Sequence, residues 1–230
     1  MQPYFLPYLG YFQLINAVDV FVVYDNVEFS RKGWFHRNRL LFDGQVEMFT
    51  INLVKDSDYL DVVDRRVSDV YMERDRHKIL RKVKQYYRRA PHFDEVFPFL
   101  ESVFMFDSTN LFQYIHNAIV ETCRFLQIKT KILVSSTLSV DHSLRNKYRI
   151  FEIAKFMNVA HYVNPIGGQT LYNVEDFASH GVKLSFLRPH LRPYPQVGDG
   201  EFVPSLSIID VIMNLDLPEV QARINEYELV

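Results

Sequence analysis

Four polar side chains stand at the ends of predicted strands, where an open α/β sheet usually binds its ligands. They are Gln2, Asp25, Ser135 and Asn164, and each lies just past an apolar run or where one would end. Because ligands of such sheets bind beyond the carboxyl ends of the strands, we expect these side chains to converge on one edge. The sequence therefore predicts a polar ligand site at that edge.

Asp25 is the residue of this group best suited to acid–base chemistry. It follows the run 19–24, whose β-branched and aromatic residues predict a buried strand. A carboxylate there is costly unless it is paired or lies at the sheet edge, so it could orient a substrate amine or act as a base. The structural alternative is a loop aspartate that caps a turn.

A cationic and aromatic block follows Asp25. Lys32, Arg37 and Arg39 flank Trp34 and His36. A guanidinium can bind phosphate through two hydrogen bonds and an aromatic face can stack on a sugar or base, so the block suits a nucleotide sugar or phosphorylated ligand. The alternative is a basic loop or hairpin edge that serves solubility. The imidazole could titrate near neutral pH and act as an acid or base.

The aromatic N-terminal block is stiffened by two prolines. Pro3 and Pro7 fix residues 2–7 as an extended turn, and Pro7 also suits the first turn of a helix. Tyr4 and Tyr8 therefore predict either a ligand-binding loop or aromatic packing in the core.

Two later segments have turn or cap patterns. Residues 164–168 are Asn-Pro-Ile-Gly-Gly, whose glycines allow close approach of the backbone to a ligand, although a plain tight turn explains them equally well. Neither the dinucleotide fingerprint nor the phosphate-binding loop has this spacing. Ser207 and Asp210 are spaced as a capping box, and the same helix start would attract an anion.

Composition predicts a soluble cytoplasmic protein. The 230 residues are 48% hydrophobic, and the net charge of −2 gives no general attraction for nucleic acid. No basic leader is visible, and no apolar run approaches the roughly 20 residues that cross a bilayer. The single cysteine, Cys123, lies in an apolar helical pattern and predicts a core thiol. The eight histidines lack metal-ligand spacing, so no metal is expected.

Periodicity predicts the elements that must position these residues. An Asp-Gly turn between alternating runs predicts a β-hairpin near 40–52, and apolar helical patterns predict a helical insertion near 75–127. Strands and helices then alternate from residue 131. The predicted fold is α/β, with a mainly parallel sheet, flanking helices and one domain over 1–230.

Four blocks occur in the order that one protein family shows. They are 1–12 with Gln-Pro and Gly-Tyr-Phe, 24–39 with an aspartate and Arg-Asn-Arg, 162–172 with Asn-Pro-Ile-Gly-Gly, and 202–211 with Leu-Ser-Ile-Ile-Asp. Over essentially its whole length the chain resembles the WbqC-like protein family, named from bacterial O-antigen gene clusters. Two departures stand out. His36 occupies a position where asparagine is expected, and the short strand expected before Gln2 is either missing or lost by truncation.

The resemblance implies a transferase of bacterial surface-polysaccharide (O-antigen) synthesis. Such an enzyme would acylate or aminoacylate the amine of a nucleotide-linked amino sugar, glycyl transfer being the case proposed for the family. The donor would be an acyl or aminoacyl compound such as acyl-CoA. A non-catalytic nucleotide-sugar or glycan-binding accessory protein is the alternative, and the absence of a recognised catalytic motif favours it.

Residue roles follow from the resemblance together with the chemistry above. Asp25 or His36 would remove the amine proton, and the backbone amides of Gly167 and Gly168 could hold an oxyanion. The residues expected to contact the substrate are polar, aromatic or glycine positions within the four blocks. They are Gln2, Tyr4, Tyr8, Lys32, Trp34, Arg37, Asn38, Asn164, Gly167, Gly168 and Tyr172.

Overall fold

In the described part of this α/β protein, the strands form three small sheets. The computed structural model describes residues 1–198 and 200–230, in which the strands are β1 (Val20–Val23), β2 (Arg37–Phe42), β3 (Gln45–Thr50), β4 (Lys131–Val134), β5 (His161–Pro165), β6 (Lys183–Pro189) and β7 (Tyr227–Leu229). β1 pairs with β4 in parallel, and β5 pairs with β6 in parallel. β7 joins the other edge of β6 in antiparallel orientation.

The predicted hairpin is confirmed as β2 and β3, which pair in antiparallel orientation up to Phe42 opposite Gln45. Asp43 and Gly44 connect them with positive φ angles of 53° and 70°. Two such residues form the tight turn whose twist matches that of the flanking strands.

The prediction of a mainly parallel sheet is not confirmed, because each parallel pairing joins only two strands. The second edge of β1 is occupied by Met1. Its ammonium group donates to the Val22 carbonyl at 2.6 Å, and its own carbonyl accepts from the Tyr24 N–H at 2.8 Å. An apolar run predicts a strand, but the choice of its neighbour depends on long-range packing that the run does not encode.

Helices cover the sheets and build most of the core. The α-helices of the described ranges are α1 (Leu9–Asn16), α2 (Arg76–Tyr87), α3 (Phe93–Phe104), α4 (Leu111–Phe125), α5 (Asn146–Phe156), α6 (Val174–Ser179), α7 (Ile208–Asn214) and α8 (Leu217–Ile224). The predicted helical insertion corresponds to α2, α3 and α4, and their apolar faces belong to the main hydrophobic core. Cys123 is buried in α4, as predicted, and burial raises the pKa of its thiol to about 12.

A second hydrophobic core lies between α5, α6 and the β5–β6 pair. Phe177 is fully buried there, and Phe151 packs on it with ring centroids 4.8 Å apart. The main core extends from α1 and β1 through α2–α4 to α7 and α8. The chain therefore places the β1–β4 pair in one core and the β5–β6 pair beside the other.

Two distant side chains fix the N-terminal turn. Leu6 has a φ of 45°, which is unfavourable for a residue with a branched side chain. Asn38 of β2 donates to the carbonyls of Phe5 at 3.1 Å and Leu6 at 2.6 Å. The Ser207 hydroxyl donates to the same Leu6 carbonyl at 2.7 Å. Asn38 therefore supports the aromatic block, and both of its amide hydrogens are used within the protein.

Asp210 lies in α7 and does not complete a capping box with Ser207. Its side chain turns into the core, where Oδ1 accepts from the Tyr87 hydroxyl at 2.7 Å. Oδ2 accepts from the Tyr194 hydroxyl at 2.6 Å and from Gln196 Nε2 at 2.8 Å. These three hydrogen bonds offset part of the cost of burying the carboxyl. Burial nevertheless raises the pKa of Asp210.

Candidate functional site

Asp25 and Ser135 meet at one sheet edge. Asp25 follows β1 and Ser135 follows β4, so the parallel pairing brings both to the same end. The Ser135 hydroxyl lies 2.9 Å from Asp25 Oδ1, and the Ser136 N–H donates to that oxygen at 3.0 Å. Within the described residues, Asp25 Oδ2 accepts no hydrogen bond. The carboxylate is only 3% exposed and is held from one side.

Asn26 extends this site into a polar network. Its Oδ1 accepts from the Ser135 hydroxyl at 2.6 Å and from Arg149 Nη1 at 3.3 Å. These donors fix the amide orientation, so Nδ2 donates to His142 Nδ1 at 3.1 Å. His142 Nε2 lies 3.0 Å from the Leu138 carbonyl oxygen. The two contacts therefore favour the tautomer that carries its proton on Nε2.

Three phenols border the network on the side of the second core. The guanidinium of Arg149 lies 5.7 Å from the ring of Tyr24. Burial raises the pKa of Tyr24 to about 12; the neighbouring Tyr172 raises it further and Arg149 opposes the shift. Burial also raises the pKa of Tyr162 and of Tyr172. All three are neutral phenols at physiological pH and can donate hydrogen bonds.

The Asn-Pro-Ile-Gly-Gly turn lies beside these phenols. Asn164 Nδ2 donates to the Tyr162 hydroxyl at 2.7 Å. A Cβ on Gly168 would lie 2.1 Å from Asn164 Oδ1 and 3.5 Å from the Tyr172 ring, so packing against Asn164 requires glycine there. At Gly167 an added Cβ would meet no atom of the described chain within 4 Å. The backbone at that position faces open space.

Trp34 and two arginines form a separate surface, which we call the Trp34 surface. The indole is 39% exposed, and the guanidinium groups of Arg37 and Arg39 lie 5.9 and 5.4 Å from its ring. Arg37 donates from Nε to the Gly33 carbonyl at 2.9 Å and from Nη2 to the Lys32 carbonyl. The surface is cationic and aromatic, but the hydrogen-bonding edge of Arg37 is used within its own loop.

The N-terminal aromatic residues combine packing with partial exposure. The Tyr4 hydroxyl donates to Gln2 Oε1 at 2.8 Å, and its ring meets Phe35 edge-on at 5.9 Å. The Tyr8 ring covers Gly10, where a Cβ would lie 2.4 Å from it. Tyr4 and Tyr8 are half-buried, and burial raises the pKa of both.

The predicted site residues therefore fall into two groups. Asp25, Asn164, Gly168 and Tyr172 belong to the network and its phenol border, and the remaining side chains lie around Trp34 and the N-terminal turn. In the part of the chain that the structure describes, no side-chain hydrogen bond or ring pair joins the two groups directly. Their roles in binding a substrate stay predictions.

His36 is neutral at physiological pH. Its ring meets Phe29 edge-on at 5.0 Å, and its Nδ1 is enclosed without a hydrogen-bond partner among residues 1–198 and 200–230. Burial lowers the pKa of His36 to about 4, and the positive charges of Arg37, Arg31 and Arg65 add to the shift. An imidazole with such a pKa is a weak base at neutral pH.

A second enclosed histidine was not predicted. His116 of α4 stacks on Phe112 at 5.4 Å, and its Nε2 is also enclosed without a partner in the described chain. Burial lowers the pKa of His116, while the negative charge of Asp25 opposes this shift. His116 is therefore close enough to Asp25 for their charges to interact.

Sequence reasoning missed several members of the network. Tyr24 and Asn26 flank Asp25, so the strand-end argument that identified Asp25 could also have identified them. Arg149 and His142 come from α5 and the loop before it, and no local pattern connects them with β1. Only the folded arrangement brings Arg149 to the Asn26 carbonyl, at 2.9 Å.

Within residues 1–198 and 200–230, no group of three or more histidine, cysteine, aspartate or glutamate side chains is arranged to hold a metal ion. In the same residues, no helix combines the length and the apolar character needed to cross a bilayer.

These features define an α/β protein whose polar site lies where short parallel strand pairs end, between two hydrophobic cores. The model of the WbqC-like protein family matches residues 2–222, so the chain belongs to that family and the resemblance is confirmed. Among curated proteins, it is similar to the uncharacterized protein Rv1507c of Mycobacterium tuberculosis. The two are 23% identical over 219 residues, which cover 94% of this chain and 92% of that protein. No solved structure matches the chain significantly.

Proposed function

We propose that this protein is a transferase of bacterial surface-polysaccharide (O-antigen) synthesis, which acylates or aminoacylates, as in glycyl transfer, the amine of a nucleotide-linked amino sugar. Membership of the WbqC-like family supplies the pathway context. The observation that carries the proposal is the Asp25 carboxylate, held through Oδ1 by Ser135 and Ser136 while Oδ2 has no donor among the described residues.

The reaction needs a base, because an ammonium group has no lone pair with which to attack. Asp25 takes one proton from the sugar amine, whose nitrogen then forms a bond to the carbonyl carbon of the donor. The bond from that carbon to the leaving group breaks, and the second proton that the nitrogen gives up goes to the leaving group, which departs as the thiol if the donor is an acyl-CoA. We assign the base to Asp25 and not to His36, because Oδ2 of Asp25 has no donor among the described residues, whereas Nδ1 of His36 is enclosed beside the Phe29 ring.

The surroundings of Asp25 suit a sugar. Tyr24 and Tyr172 are neutral phenols that can donate to sugar hydroxyls, and Asn164 adds an amide. The open backbone at Gly167 could donate an N–H to the oxyanion of the tetrahedral intermediate, as could that of Gly168. We place the nucleotide end on the Trp34 surface, where aromatic stacking and positive charge coincide.

The alternative is a non-catalytic accessory protein that binds nucleotide sugars or glycans. One observation favours it: Trp34 is exposed on a cationic surface, and such a platform binds carbohydrate or base without any enclosed reaction site. Binding without turnover is what this alternative predicts.

A transfer assay separates the two proposals. Purified protein is incubated with UDP-glucosamine and either acetyl-CoA or an activated glycine donor, and the mass of the sugar product is measured by mass spectrometry. A protein-dependent acyl mass gain that Asp25→Asn removes and Asp58→Asn retains supports the transferase. Binding of UDP-glucosamine with no mass gain from any donor of either class supports the accessory protein.

A further inference from the structure

Arg65 carries a buried guanidinium whose Nε and Nη2 atoms have no hydrogen-bond partner in the described chain. The residue is 2% exposed, and its Nε and Nη2 atoms are enclosed without a hydrogen-bond partner among the described residues. Arg223 is buried to a similar degree, at 6% exposure, but donates to the Glu219 carboxylate at 2.8 Å and to the Arg192 carbonyl at 2.7 Å. The two arginines therefore differ in that, among residues 1–198 and 200–230, the Nε and Nη2 atoms of Arg65 have no acceptor.

The neighbour of the Arg65 guanidinium is an aromatic ring. Phe29 lies 4.7 Å from it, a distance at which the ring face attracts a cation. This contact does not satisfy the N–H groups, and burying a charged group without hydrogen bonds is strongly unfavourable. An acceptor supplied from outside the chain would remove that cost.

The unpaired atoms have the geometry of an anion-binding fork. In a guanidinium, the Nε–H and one Nη2–H point in the same direction and can hold two oxygens of one phosphate. His36 also contacts Phe29, and its Nδ1 is enclosed and unpartnered among the described residues, so it can donate when it carries the proton. The charges of the described residues that act on this imidazole, those of Arg37, Arg31 and Arg65, are all positive.

We infer that Arg65, with His36 beside it, is the site that binds a phosphate group of the ligand. The inference rests on the proposed function only for the carrier of that phosphate, a nucleotide-linked sugar. Arg37, the arginine that sequence analysis favoured for this role, has its own Nε and Nη2 bonded to the carbonyls of its loop. Arg65 instead has this edge free and enclosed, and an enclosed site strengthens a charged hydrogen bond.

Arg65→Met tests the inference, because an unpaired buried charge should be replaceable by an apolar side chain of similar length. Thermal melts are recorded with inorganic phosphate, pyrophosphate, UDP and, as a carboxylate control, citrate. We expect pyrophosphate and UDP to raise the Tm of the wild-type protein more than citrate does. Arg65→Met should melt at or above the ligand-free wild-type temperature and bind pyrophosphate roughly 100-fold or more weakly.

Two further variants keep the result decisive. Arg223→Met removes a paired guanidinium, so it should melt at a lower temperature but retain the pyrophosphate shift. Arg65→Lys keeps the charge but not the fork, so it should fold and bind pyrophosphate more weakly than the wild-type protein.

Several results would overturn the inference. One is an Arg65→Met protein that fails to fold or melts as low as Arg223→Met, since that would make Arg65 a structural cation. Another is a pyrophosphate shift that persists in both Arg65 variants, or one no larger than the citrate shift. These melts need no turnover, so a negative transfer assay would not contradict the phosphate site. Equally, melts that contradict the phosphate site would not change the interpretation of the transfer assay.

Discussion

Asp25 and Asp210 are both buried carboxylates within family sequence blocks, yet their surroundings differ. Asp210 is 0% exposed and both oxygens are engaged, by Tyr87 on one side and by Tyr194 and Gln196 on the other. Asp25 is 3% exposed and is held through one oxygen, with no donor to the other in the described chain. Burial and motif membership are therefore the same for both residues, and what distinguishes them is whether each carboxylate oxygen accepts a hydrogen bond within the described chain.

The positions of the two carboxylates agree with that account. Asp210 joins α7 to α2 and to the segment near residue 194, all within the main core. Asp25 lies at a strand end, where Arg149 from the second core reaches the neighbouring Asn26. Ligand sites favour such junctions, because a cleft can form there without disturbing either core.

Replacing Asp210 should have the largest effect on stability. Asp210→Ala would leave one buried donor, Tyr87, and two partly buried donors, Tyr194 and Gln196, unpaired. At about 1–3 kcal/mol for the buried donor and less for the other two, we expect the free energy of unfolding to fall by roughly 2–5 kcal/mol. Urea unfolding followed by circular dichroism measures this change. Asp58→Ala, at an exposed aspartate, is the control and should change stability by less than about 0.5 kcal/mol. A loss as small as that of the control would mean that Asp210 is not the support described here.

Replacing Asp25 with asparagine should change stability little but activity strongly. The amide oxygen can still accept from Ser135 and Ser136, so the free energy of unfolding should change by less than about 1 kcal/mol. Loss of the base should lower the transfer rate by about 10²–10⁴-fold. Mass spectrometry of the product and urea unfolding of the same sample measure both quantities. Normal transfer by this variant would remove Asp25 from the mechanism and end the functional contrast with Asp210.

Local patterns were sufficient to predict most elements. The Asp-Gly pair predicted the hairpin, and the apolar run before Asp25 predicted β1, because each of these signals is contained in a few consecutive residues. The partition into three sheets was not predictable in this way. Strand neighbours such as β1 and β4 are more than 100 residues apart, and Met1 takes the other edge of β1.

The candidate site was predicted only in part, for a related reason. Asp25 and Ser135 were predicted to converge because each follows a strand. The parallel pairing of those strands places the Ser135 hydroxyl 2.9 Å from Asp25 Oδ1. Asn38 was expected to bind substrate because of its motif, but its amide is used on two carbonyls of the N-terminal turn, 32 and 33 residues away. Arg65 had no sequence signal, because what distinguishes it is the lack of an acceptor for its Nε and Nη2 atoms in the described part of the chain.

Trp34→Ala tests how far the functional region extends beyond Asp25. If the indole is a stacking platform, binding of UDP-glucosamine should weaken by about 1–3 kcal/mol. Isothermal titration calorimetry measures the loss, and Tyr59→Ala, which removes a ring that is 85% exposed, is the matched control. An unfolded Trp34→Ala protein without a separate binding defect would instead show that the indole serves packing.

The pH dependence of stability sharpens the assignment of the base to Asp25. The pKa of His36 is about 4 in the folded protein, lowered by burial and then by Arg37, Arg31 and Arg65, whereas its ordinary value is 6.5. Between these values the unfolded chain binds a proton that the folded chain does not, so the free energy of unfolding falls as the pH is lowered through this window. Because the ring is only partly buried and solvent screens its charge, we expect the loss from His36 to be roughly 1–2 kcal/mol.

His36→Asn removes this titration and installs the residue that the family is expected to carry. As the pH falls from 7 to 4, the free energy of unfolding of the wild-type protein should therefore decrease relative to that of the variant. Urea unfolding at several pH values measures it, with His77→Asn as the control for losing an exposed histidine. A difference that stays constant with pH would mean that the folded state does not lower the pKa of His36. The imidazole would then be a second competent base near neutral pH, and the assignment of that role to Asp25 alone would fail.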